Sequence, residues 1–393
     1  MRKIKSLIAI ILSVLVCGTV AFTTVACGNK NDIDVTTTGE LKKDDSGNVI
    51  FDNVTIKLET VVAGEDKTAF DDIVNRFNFQ YDGQIYVETA STAQGLFETQ
   101  VANRISNNNN PPDFILSHGK HHKNFADKNL IQPLNETMEL SGIMIDFDLY
   151  SSGLMQYKNL GATDGSIYSI PADAQSLVVV YNKKLMDELE AEVPTNREEL
   201  LAVCKMFKDK YNTFPIAWAD NDTTCNFSEY TFATAILQNG GTLVNDEGKV
   251  DWFDDKDNLA AVKNAIEAYR ELYDLGYAQR NYGYSTGLNE FMDGNKLFFC
   301  TAPWFLKGLI NNYALQLGVS EDVVIEEYVG GTSISGWFAM GENAGKPYSN
   351  YIYGDSHFFA MSSRVTDINK KAAILEFIKW FTQNSSISAT WGE

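Results

Sequence analysis

The sequence predicts an α/β protein of two lobes, each a sheet flanked by helices, with a cleft where the chain crosses between them. Patterns typical of strands alternate with patterns typical of helices along most of the chain. The 393 residues exceed what one hydrophobic core usually serves, and the apolar content of 44% is ample for two cores. In addition, residues 164–183 place two strands end to end, as expected where a chain passes from one sheet to another.

Segment 164–183 has the pattern of such a crossing. An Asp-Gly turn begins it, a short strand ends at Pro171, and the apolar run 177–181 is typical of a strand buried on both faces. The polar residues Asp173 and Gln175 lie between the two strands. We therefore expect a hinge here, with Asp173 and Gln175 turned toward a ligand in the cleft.

Several short motifs occur in the order in which one protein family carries them. The longest runs from Asp164 to Leu185 and includes the Tyr-Asn-Lys triplet at 181–183. The others are Pro112-Asp113 with Gly119, the run Leu130–Leu134, Pro194-Thr195 before a helix, Gln238–Gly241, and Pro303-Trp304. Over about residues 54–390 the chain therefore resembles the extracellular solute-binding proteins, the maltose-binding-like receptors of ABC sugar importers.

This resemblance implies a periplasmic-binding-protein-like fold and a monomeric receptor without catalytic activity, cofactor or metal. It implies an N-terminal lobe formed by residues 53–173 and 354–393, and a C-terminal lobe formed by 174–353. The partners would be a sugar ligand and the permease subunits of an ABC transporter. Similar receptors continue for several more helices, whereas this sequence stops at Glu393, so we expect it to be truncated.

The first 26 residues are typical of a secretory signal peptide. A basic start at Met1–Lys5 is followed by an apolar run from residue 7 to about 22 and by small residues before Cys27. A transmembrane anchor is the alternative, but the run is short for a bilayer span. Residues 24–28 resemble a lipoprotein box, which implies that Cys27 becomes the lipidated first residue. The family prefers Leu at the position of Thr24.

Residues 27–52 predict a disordered tether after the lipidated cysteine. They are rich in Asn, Asp, Thr, Gly and Lys and contain few apolar residues, so they cannot bury enough surface to order themselves. Such a tether would hold the receptor at the extracellular face of the cell membrane, in the arrangement of Gram-positive bacteria.

The charge of the chain excludes two classes of partner. The formal net charge is −20, and it becomes −23 once Arg2, Lys3 and Lys5 leave with the signal. So acidic a protein repels nucleic acid and anionic membrane surfaces, and a membrane would be reached only through the lipid anchor. The acidity favours a neutral or cationic ligand, although solubility alone would explain it equally well.

Three cysteines, Cys204, Cys225 and Cys300, remain when the signal and Cys27 are set aside. An odd number gives no disulfide framework, and no Cys-Xaa-Xaa-Cys or paired His/Cys spacing suggests a metal. We expect these thiols to be small buried apolar side chains.

In the N-terminal half, two strands end in loops that carry candidate ligand contacts. The strand at 54–61 is followed by a helix at 66–79, and the loop between them contains Glu65. The strand at 114–116 ends in Ser117-His118-Gly119. Because open α/β sheets bind ligands at the carboxyl ends of their strands, we expect Glu65 and His118 at the cleft.

Two segments contain residue types that can bind a metal ion. His118, His121 and His122 could chelate zinc, but no acidic or cysteine partner stands at ligand spacing. The resemblance instead implies that this loop makes polar contacts to sugar. Asp220-Asn221-Asp222 offers oxygen ligands at alternate positions, but it lacks the glycine and distal glutamate of an EF-hand loop. We predict no metal site, and a solvated loop at 220–222.

Two helices of the C-terminal half have clear sequence signals. Thr195 and Glu198 form a capping box that predicts a helix start. In the helix predicted at 259–276, an apolar stripe predicts a face packed in the core; its members are Leu259, Val262, Ile266, Tyr269 and Tyr273.

Three tryptophans of this half are predicted near the cleft. Trp218 lies at the end of a short strand, and Trp304 follows Pro303 at a helix start, where the resemblance implies an aromatic face for the sugar. Trp337 lies in the Gly-, Ser- and Tyr-rich stretch 330–354, which predicts a long functional loop.

The residue types at these positions favour a sugar. A hexose presents hydroxyl groups that both donate and accept, and a C–H face that packs on an aromatic ring. The predicted ligand contacts are three tryptophans and four polar side chains: Trp218, Trp304, Trp337, Glu65, His118, Asp173 and Gln175.

Other functions stay open at this point. A glycoside-active enzyme would need two carboxyl groups flanking the scissile bond, and nothing in the sequence identifies the pair. The sequence also contains no His-Glu-Xaa-Xaa-His motif and no phosphate-binding loop. A receptor for a peptide or a polyamine could have the same fold, and a surface adhesin would use the same export signal without needing the hinge.

Overall fold

The computed structural model describes residues 35–150, 152–155, 158–160, 162–220, 227–245 and 249–392. These residues form two lobes, each with its own sheet and apolar core. The two-lobed α/β architecture predicted from the sequence is confirmed. The signal peptide and the lipidation site predicted at Cys27 lie outside the described residues. Within the described ranges, no helix combines the length and apolar character that a membrane span requires.

The N-lobe is built on a six-stranded mixed sheet. Strands β1, β2 and β3 are parallel, and β12, which the chain reaches only after the C-lobe, runs antiparallel to β3. The order is β2-β1-β3-β12-β4, with β5 also paired to β12. The strands are β1 (Val54–Thr60), β2 (Ile85–Ser91), β3 (Phe114–His118), β4 (Ile131–Gln132), β5 (Ile170–Pro171) and β12 (His357–Ser362).

Helices pack on both sides of this sheet. The described helices of the N-lobe are α1 (Gly64–Gln80), α2 (Gln94–Ser106), α3 (Gly119–Asp127), α4 (Asn135–Ser141), α5 (Ser152–Met155), α13 (Ile368–Gln383) and α14 (Ser385–Gly392). The face of α1 predicted to be apolar is buried, and Phe77 packs edge-on against Phe377 of α13 with ring centroids 4.9 Å apart. Burial of such a ring is worth about 2–3 kcal/mol relative to exposure.

Residues 35–52 pack on the N-lobe, so the tether predicted over 27–52 is wrong for this part. The backbone N–H of Thr38 donates to Thr366 at 2.8 Å, and its carbonyl accepts from Ile368 at 2.9 Å. Leu41, Val49 and Phe51 contact the apolar core. The composition of residues 35–52 did not predict this packing. A few apolar side chains are enough to order a segment when a neighbouring lobe supplies hydrogen-bond partners for its backbone.

The C-lobe has a four-stranded sheet in the order β10-β7-β9-β8. Strand β9 is parallel to β8 and antiparallel to β7, which is also antiparallel to β10. The strands are β7 (Val178–Asn182), β8 (Ile216–Ala217), β9 (Phe298–Thr301) and β10 (Val329–Thr332). The helices are α6 (Lys183–Glu188), α7 (Arg197–Tyr211), α8 (Phe227–Gln238), α9 (Lys256–Asp274), α10 (Tyr284–Met292), α11 (Pro303–Leu317) and α12 (Glu321–Glu327).

Helix α7 begins one residue later than the predicted capping box. Asn196 is the N-cap, and its side chain accepts from the N–H of Glu199 at 3.0 Å. The carboxylate of Glu199 in turn accepts from the backbone N–H of Thr195 at 2.8 Å. The reciprocal capping is therefore made by Asn196 and Glu199, because an asparagine at the first position outside the helix competes well with threonine for this role.

The buried face of α9 is rotated from the predicted stripe. Ile266 is 52% exposed, whereas the residues that pack inward are mostly alanines and leucine: Ala261, Val262, Ala265, Ala268 and Leu272. Of the predicted stripe, Val262 stays buried, Tyr269 and Tyr273 are partly buried, and Ile266 turns outward. The cysteines behave as predicted where the structure describes them, since Cys204 and Cys300 are free and buried.

The chain crosses between the lobes in a separate two-stranded sheet. It consists of β6 (Gln175–Ser176) and β11 (Gly354–Asp355), which are antiparallel, with Asp355 opposite Gln175. β6 lies between β5 of the N-lobe and β7 of the C-lobe, and β11 leads from the C-lobe segment 333–353 into β12 of the N-lobe. A rotation of one lobe against the other must therefore be absorbed here.

Candidate functional site

The base of the cleft is formed by the two crossing strands β6 and β11. Ser176 donates a hydrogen bond from its hydroxyl to the carbonyl of Tyr353 at 2.5 Å, which ties the strands together beyond their backbone pairing. The carboxylate of Asp355 projects from β11 opposite Gln175. Side chains from both lobes converge on this small sheet.

Two histidine–aspartate pairs flank the crossing. Nδ1 of His118, at the end of β3, lies 2.9 Å from Oδ2 of Asp355. Nδ1 of His357, at the start of β12, lies 2.7 Å from Oδ2 of Asp173. The two imidazole rings are neighbours, with centroids 4.5 Å apart. The hinge therefore holds two acidic and two imidazole groups in one partly buried cluster.

The surroundings of His357, Asp173 and Asp355 favour the charged forms of these three side chains. Burial opposes the charge of His357, but the carboxylate of Asp173 outweighs it and raises the pKa of that imidazole. Burial likewise opposes the charge of Asp173 and of Asp355, yet their histidine partners hold the pKa of each carboxyl below its usual range. Ion pairing thus wins over desolvation at this position.

Asp355 links the two lobes through a single oxygen. Besides His118 of the N-lobe, its Oδ2 accepts a long hydrogen bond of 3.4 Å from the hydroxyl of Tyr230, on α8 of the C-lobe. At the rim of the cleft, Nζ of Lys120 lies 3.8 Å from the carboxylate of Glu229. These contacts join the N-lobe to the first turn of α8.

Aromatic rings form the C-lobe wall of the cleft. The ring of Tyr230 lies with its centroid 5.2 Å from Tyr353 and 6.4 Å from Trp304. Trp304 is half-buried in the first turn of α11, directly after Pro303, which occupies a position where a helix needs no N–H donor. Two partly buried rings, Trp304 and Tyr353, therefore stand beside the polar hinge, packed around the buried ring of Tyr230.

The predicted polar contacts occupy different places in this geometry. Gln175 lies in the crossing strand, and its side-chain amide has no hydrogen bond to the described residues. Asp173 is also at the hinge, but its oxygens are occupied by the N–H and imidazole of His357 and by Nε1 of Trp391 at 3.1 Å. His118 is paired with Asp355. The side chain of Glu65, in the first turn of α1, lies outside what the structure describes.

Two of the three predicted tryptophans belong to the C-lobe core. Trp337 has 0% exposure, packs edge-on to Phe298 at 5.3 Å and donates from Nε1 to the carbonyl of Pro194 at 3.4 Å. Trp218 is 3% exposed and stacks on Phe338. Both rings pack on core side chains of the C-lobe rather than along the crossing strands, so the sequence interpretation of Trp218 and Trp337 as cleft contacts is corrected here.

Sequence reasoning missed Tyr230, Tyr353, Asp355 and His357. Tyr230 and Tyr353 were visible only as residues of a predicted helix and loop. The pairing of Asp355 with His118 joins positions 237 apart, so no local pattern could reveal it. One signal was available: β11 begins directly after the Tyr-rich stretch and precedes an apolar strand, which is the pattern of a second crossing.

The three histidines of the 118–122 segment contact separate sets of side chains. His121 pairs with the carboxylate of Glu98 at 3.0 Å, and the ring of His122 lies between the hydroxyls of Ser117 and Ser169. Complete burial lowers the pKa of His122 to about 3. Among the described residues, no group of three or more His, Cys, Asp or Glu side chains is arranged to hold a metal.

The 220–222 segment is described only at its first residue. The carboxylate of Asp220 accepts from the backbone N–H groups of Tyr282 at 2.6 Å and Asn281 at 3.2 Å, and from the hydroxyl of Tyr273 at 3.2 Å. It therefore ties a loop to the body of the C-lobe. Asn221 and Asp222 lie outside the described residues.

The arrangement of two lobes around a hinge with a polar base and an aromatic wall agrees with the family assignment. The sequence model of the bacterial extracellular solute-binding proteins matches residues 72–392. The chain belongs to this family. Its members include a curated relative, the maltotriose-binding protein of Pyrococcus abyssi (strain GE5 / Orsay), which is 25% identical over 285 residues. The match covers 70% of this chain and 52% of that protein, so the chain spans about half the length of the relative.

Solved structures of solute-binding proteins share the fold. The GacH receptor of Streptomyces glaucescens GLA.O, solved unliganded and with acarbose, superposes with a TM-score of 0.63 at 15% identity. The cyclic α-maltosyl-1,6-maltose binding protein of Arthrobacter globiformis gives a TM-score of 0.63 at 18% identity. Each alignment covers 86% of this chain and 78% of the other. At these identities the likeness establishes the architecture and leaves the ligand to be argued from the cleft.

Proposed function

We propose that this solute-binding protein captures a carbohydrate, an oligosaccharide, in the cleft between its lobes and delivers it to the permease of an ABC transporter. The observation that carries the proposal is the aromatic wall of Tyr230, Trp304 and Tyr353 beside the unpaired amide of Gln175. Such a wall packs on the C–H face of a sugar, while an amide that both donates and accepts suits its hydroxyl groups.

The names of three relatives support a glucose-based sugar, while other structural neighbours are named for galactopyranose or a chitin oligosaccharide. Maltotriose, acarbose and cyclic α-maltosyl-1,6-maltose are named as ligands of the three relatives. We infer that a glucose-based oligosaccharide is the ligand here. A neutral ligand is also compatible with a formal net charge of −20, which would repel an anionic one.

Roles follow for the individual residues. Trp304 and Tyr353, whose rings are only partly buried, would stack on the sugar, and the buried ring of Tyr230 would support them. Gln175 and Glu65 would bind the hydroxyl groups of the sugar. His118 and Asp173 would act by holding the hinge, because their polar atoms are engaged by Asp355 and His357. Closure of the lobes would then report the ligand to the permease, to the extent that the ligand prefers the closed form.

The predicted signal peptide and lipoprotein box concern where the receptor is located. We propose cleavage of residues 1–26 and lipidation of Cys27, which would anchor a monomeric receptor to the extracellular face of the cell membrane. Because residues 35–52 pack on the N-lobe, only the few residues between Cys27 and Val35 would be left as a tether. The receptor would then stand close to the membrane surface.

The test is a calorimetric titration of the full chain with maltose, maltotriose, acarbose and a chitin oligosaccharide. We expect saturable binding of at least one, with a melting temperature that rises with its concentration. The bound sugar must be recovered unchanged, since release of reducing sugar would assign the protein to the glycoside-active enzymes. Binding of a peptide or a polyamine in place of every sugar would overturn the ligand class while leaving the receptor role.

A further inference from the structure

A second cavity is lined by residues of the C-lobe alone. Its volume is about 630 Å³, within the range of pockets that hold small molecules. It opens between α8 and α9 at the carboxyl end of β8. The described residues that form most of its wall are aromatic or aliphatic: Trp218, Phe227, Phe232, Ile266, Tyr269 and Tyr273.

Helix α8 separates this cavity from the cleft. Successive residues of an α-helix are about 100° apart around its axis. Ser228, Thr231 and Phe232 therefore face the cavity, whereas Tyr230 faces the opposite way and reaches Asp355 at the hinge. None of the three aromatic residues described at the cleft, Tyr230, Trp304 and Tyr353, lines this cavity.

Two polar atoms in the cavity wall lack a partner. Trp218 is 3% exposed, and its Nε1–H donates to no described group. The hydroxyl of Tyr269 is buried without a well-formed hydrogen bond as well. The neighbouring hydroxyl of Thr231 donates to the carbonyl of Phe227 at 3.0 Å and offers Tyr269 only its lone pairs. Burial holds the pKa of Tyr269 well above its usual range, so this hydroxyl stays protonated and can donate.

Buried donors are nearly always satisfied in native proteins, because leaving one unpaired costs the full desolvation of the group. An indole N–H can only donate. A ligand that completes this wall must therefore bring an oxygen acceptor to Trp218 and Tyr269, on a body flat and apolar enough to lie against the surrounding rings.

The charges at the mouth of the cavity are already balanced. Arg270 pairs with Glu267 at 2.9 Å and with Asp274 at 3.6 Å, and Arg280 lies 3.9 Å from Asp274. The oxygens of Asp220 are occupied by two backbone N–H groups and a tyrosine hydroxyl. Each charged group among the described residues of this wall therefore already has a partner, which favours an uncharged ligand.

We infer that this cavity is a second ligand site, which takes a small uncharged aromatic compound with a carbonyl or hydroxyl oxygen directed at Trp218 and Tyr269. The inference does not depend on the carbohydrate proposed for the cleft. It adds to the receptor a site for a different chemical class, placed against the same helix α8 that carries Tyr230.

The test compares two probes of nearly equal shape on the full chain. Benzophenone carries a carbonyl oxygen between its two rings, whereas diphenylmethane has a methylene group at that position. We expect benzophenone to raise the melting temperature in a concentration-dependent way and diphenylmethane to bind roughly threefold to tenfold more weakly, as the loss of a hydrogen bond predicts. Ultraviolet cross-linking of bound benzophenone should label peptides of α8 and α9.

Matched variants separate this site from the cleft. Trp218→Phe keeps the ring and removes the donor, so it should weaken benzophenone by roughly threefold to tenfold and leave diphenylmethane unchanged. Trp304→Phe, in the cleft, should alter neither. Three results would overturn the inference: equal affinity for the two probes, no binding of benzophenone, or cross-links confined to peptides that contain Trp304 or Tyr353. Cross-linking of the wild-type protein decides the question even if Trp218→Phe fails to fold.

Discussion

Nδ1 of His357 lies 2.7 Å from Oδ2 of Asp173, and this ion pair joins the end of one hinge crossing to the end of the other. Asp173 lies two residues before β6, and His357 lies two residues after β11. The pair therefore lies at the hinge, where the backbone must change conformation if one lobe rotates against the other. Its contribution to stability depends on pH in a direction that the pKa shifts determine.

The first prediction is that His357→Asn destabilises the protein most at mildly acidic pH. The folded pKa of His357 is raised, so its contribution is complete below the usual histidine value of about 6.5 and is lost as the pH rises through the folded value. The folded pKa of Asp173 is lowered, so its contribution is complete above about 3.9. We expect a loss of roughly 1–3 kcal/mol in the free energy of unfolding at pH 5.5, and a smaller loss at pH 8.

Urea unfolding at the two pH values measures this difference. His122→Asn is a control of opposite sign, because the folded pKa of His122 is lowered to about 3. Its burial as a neutral ring costs stability as the pH falls below about 6.5, so the variant should lose stability less steeply than the wild type on acidification. An equal loss for His357→Asn at pH 5.5 and pH 8 would show that the pair is not ionised.

The second prediction distinguishes the roles of two tryptophans. Trp304→Ala should weaken the sugar several-fold with little change in unfolding, because stacking of a half-buried ring is worth on the order of 1 kcal/mol. Trp337→Ala should cost roughly 3–5 kcal/mol of stability, because it opens a cavity in the C-lobe core. Calorimetric titration and urea unfolding of both variants check the assignment. A large loss of stability in Trp304→Ala with unchanged affinity would place that ring in the core instead.

The third prediction concerns the hinge. A sugar that binds both lobes should favour the closed form, so small-angle scattering of the full chain should show a smaller radius of gyration when the sugar is bound. Tyr230→Phe removes the long hydrogen bond to Asp355 and keeps the ring, so the liganded radius should be unchanged while the unliganded form opens slightly. An identical radius with and without a tightly bound sugar would mean that the lobes are rigid.

The fourth prediction tests the packing of residues 35–52. Nζ of Lys371 is held by the hydroxyl of Thr37 at 2.8 Å, although Lys371 is only 1% exposed. A chain that begins at Asn53 should therefore be at least about 2 kcal/mol less stable than one that begins at Val35, since it loses apolar contacts and leaves a buried ammonium with Glu136 alone at 3.9 Å.

Lys371→Met provides the matched control for this deletion. In the shortened chain the substitution should recover part of the lost stability, because it removes the poorly paired charge. In the longer chain the same substitution should destabilise, because Thr37 and Glu136, which are bonded to each other, both lose the ammonium group of Lys371. Urea unfolding of the four chains gives the coupling free energy between Lys371 and residues 35–52. Equal stability of the longer and the shorter chain, both with Lys371, would show that residues 35–52 act as a tether and do not stabilise the N-lobe.

The sequence by itself determined the two-lobed α/β architecture, the place of the first crossing and the apolar face of α1. These features depend on periodicity and on turn residues within a few positions of each other, so a local pattern is enough to specify them. The position of Trp304 at a helix start after Pro303 was specified in the same local way.

The tertiary structure alone decided which of these side chains meet. His357 finds Asp173 184 positions earlier, and His118 finds Asp355 237 positions later, because the chain leaves the N-lobe and returns to it through β12. Trp337 and the face of α9 differ from the predictions for a related reason. Whether a given ring is enclosed or exposed depends on neighbours that fold onto it from distant segments, and those neighbours leave no trace in its own stretch of sequence.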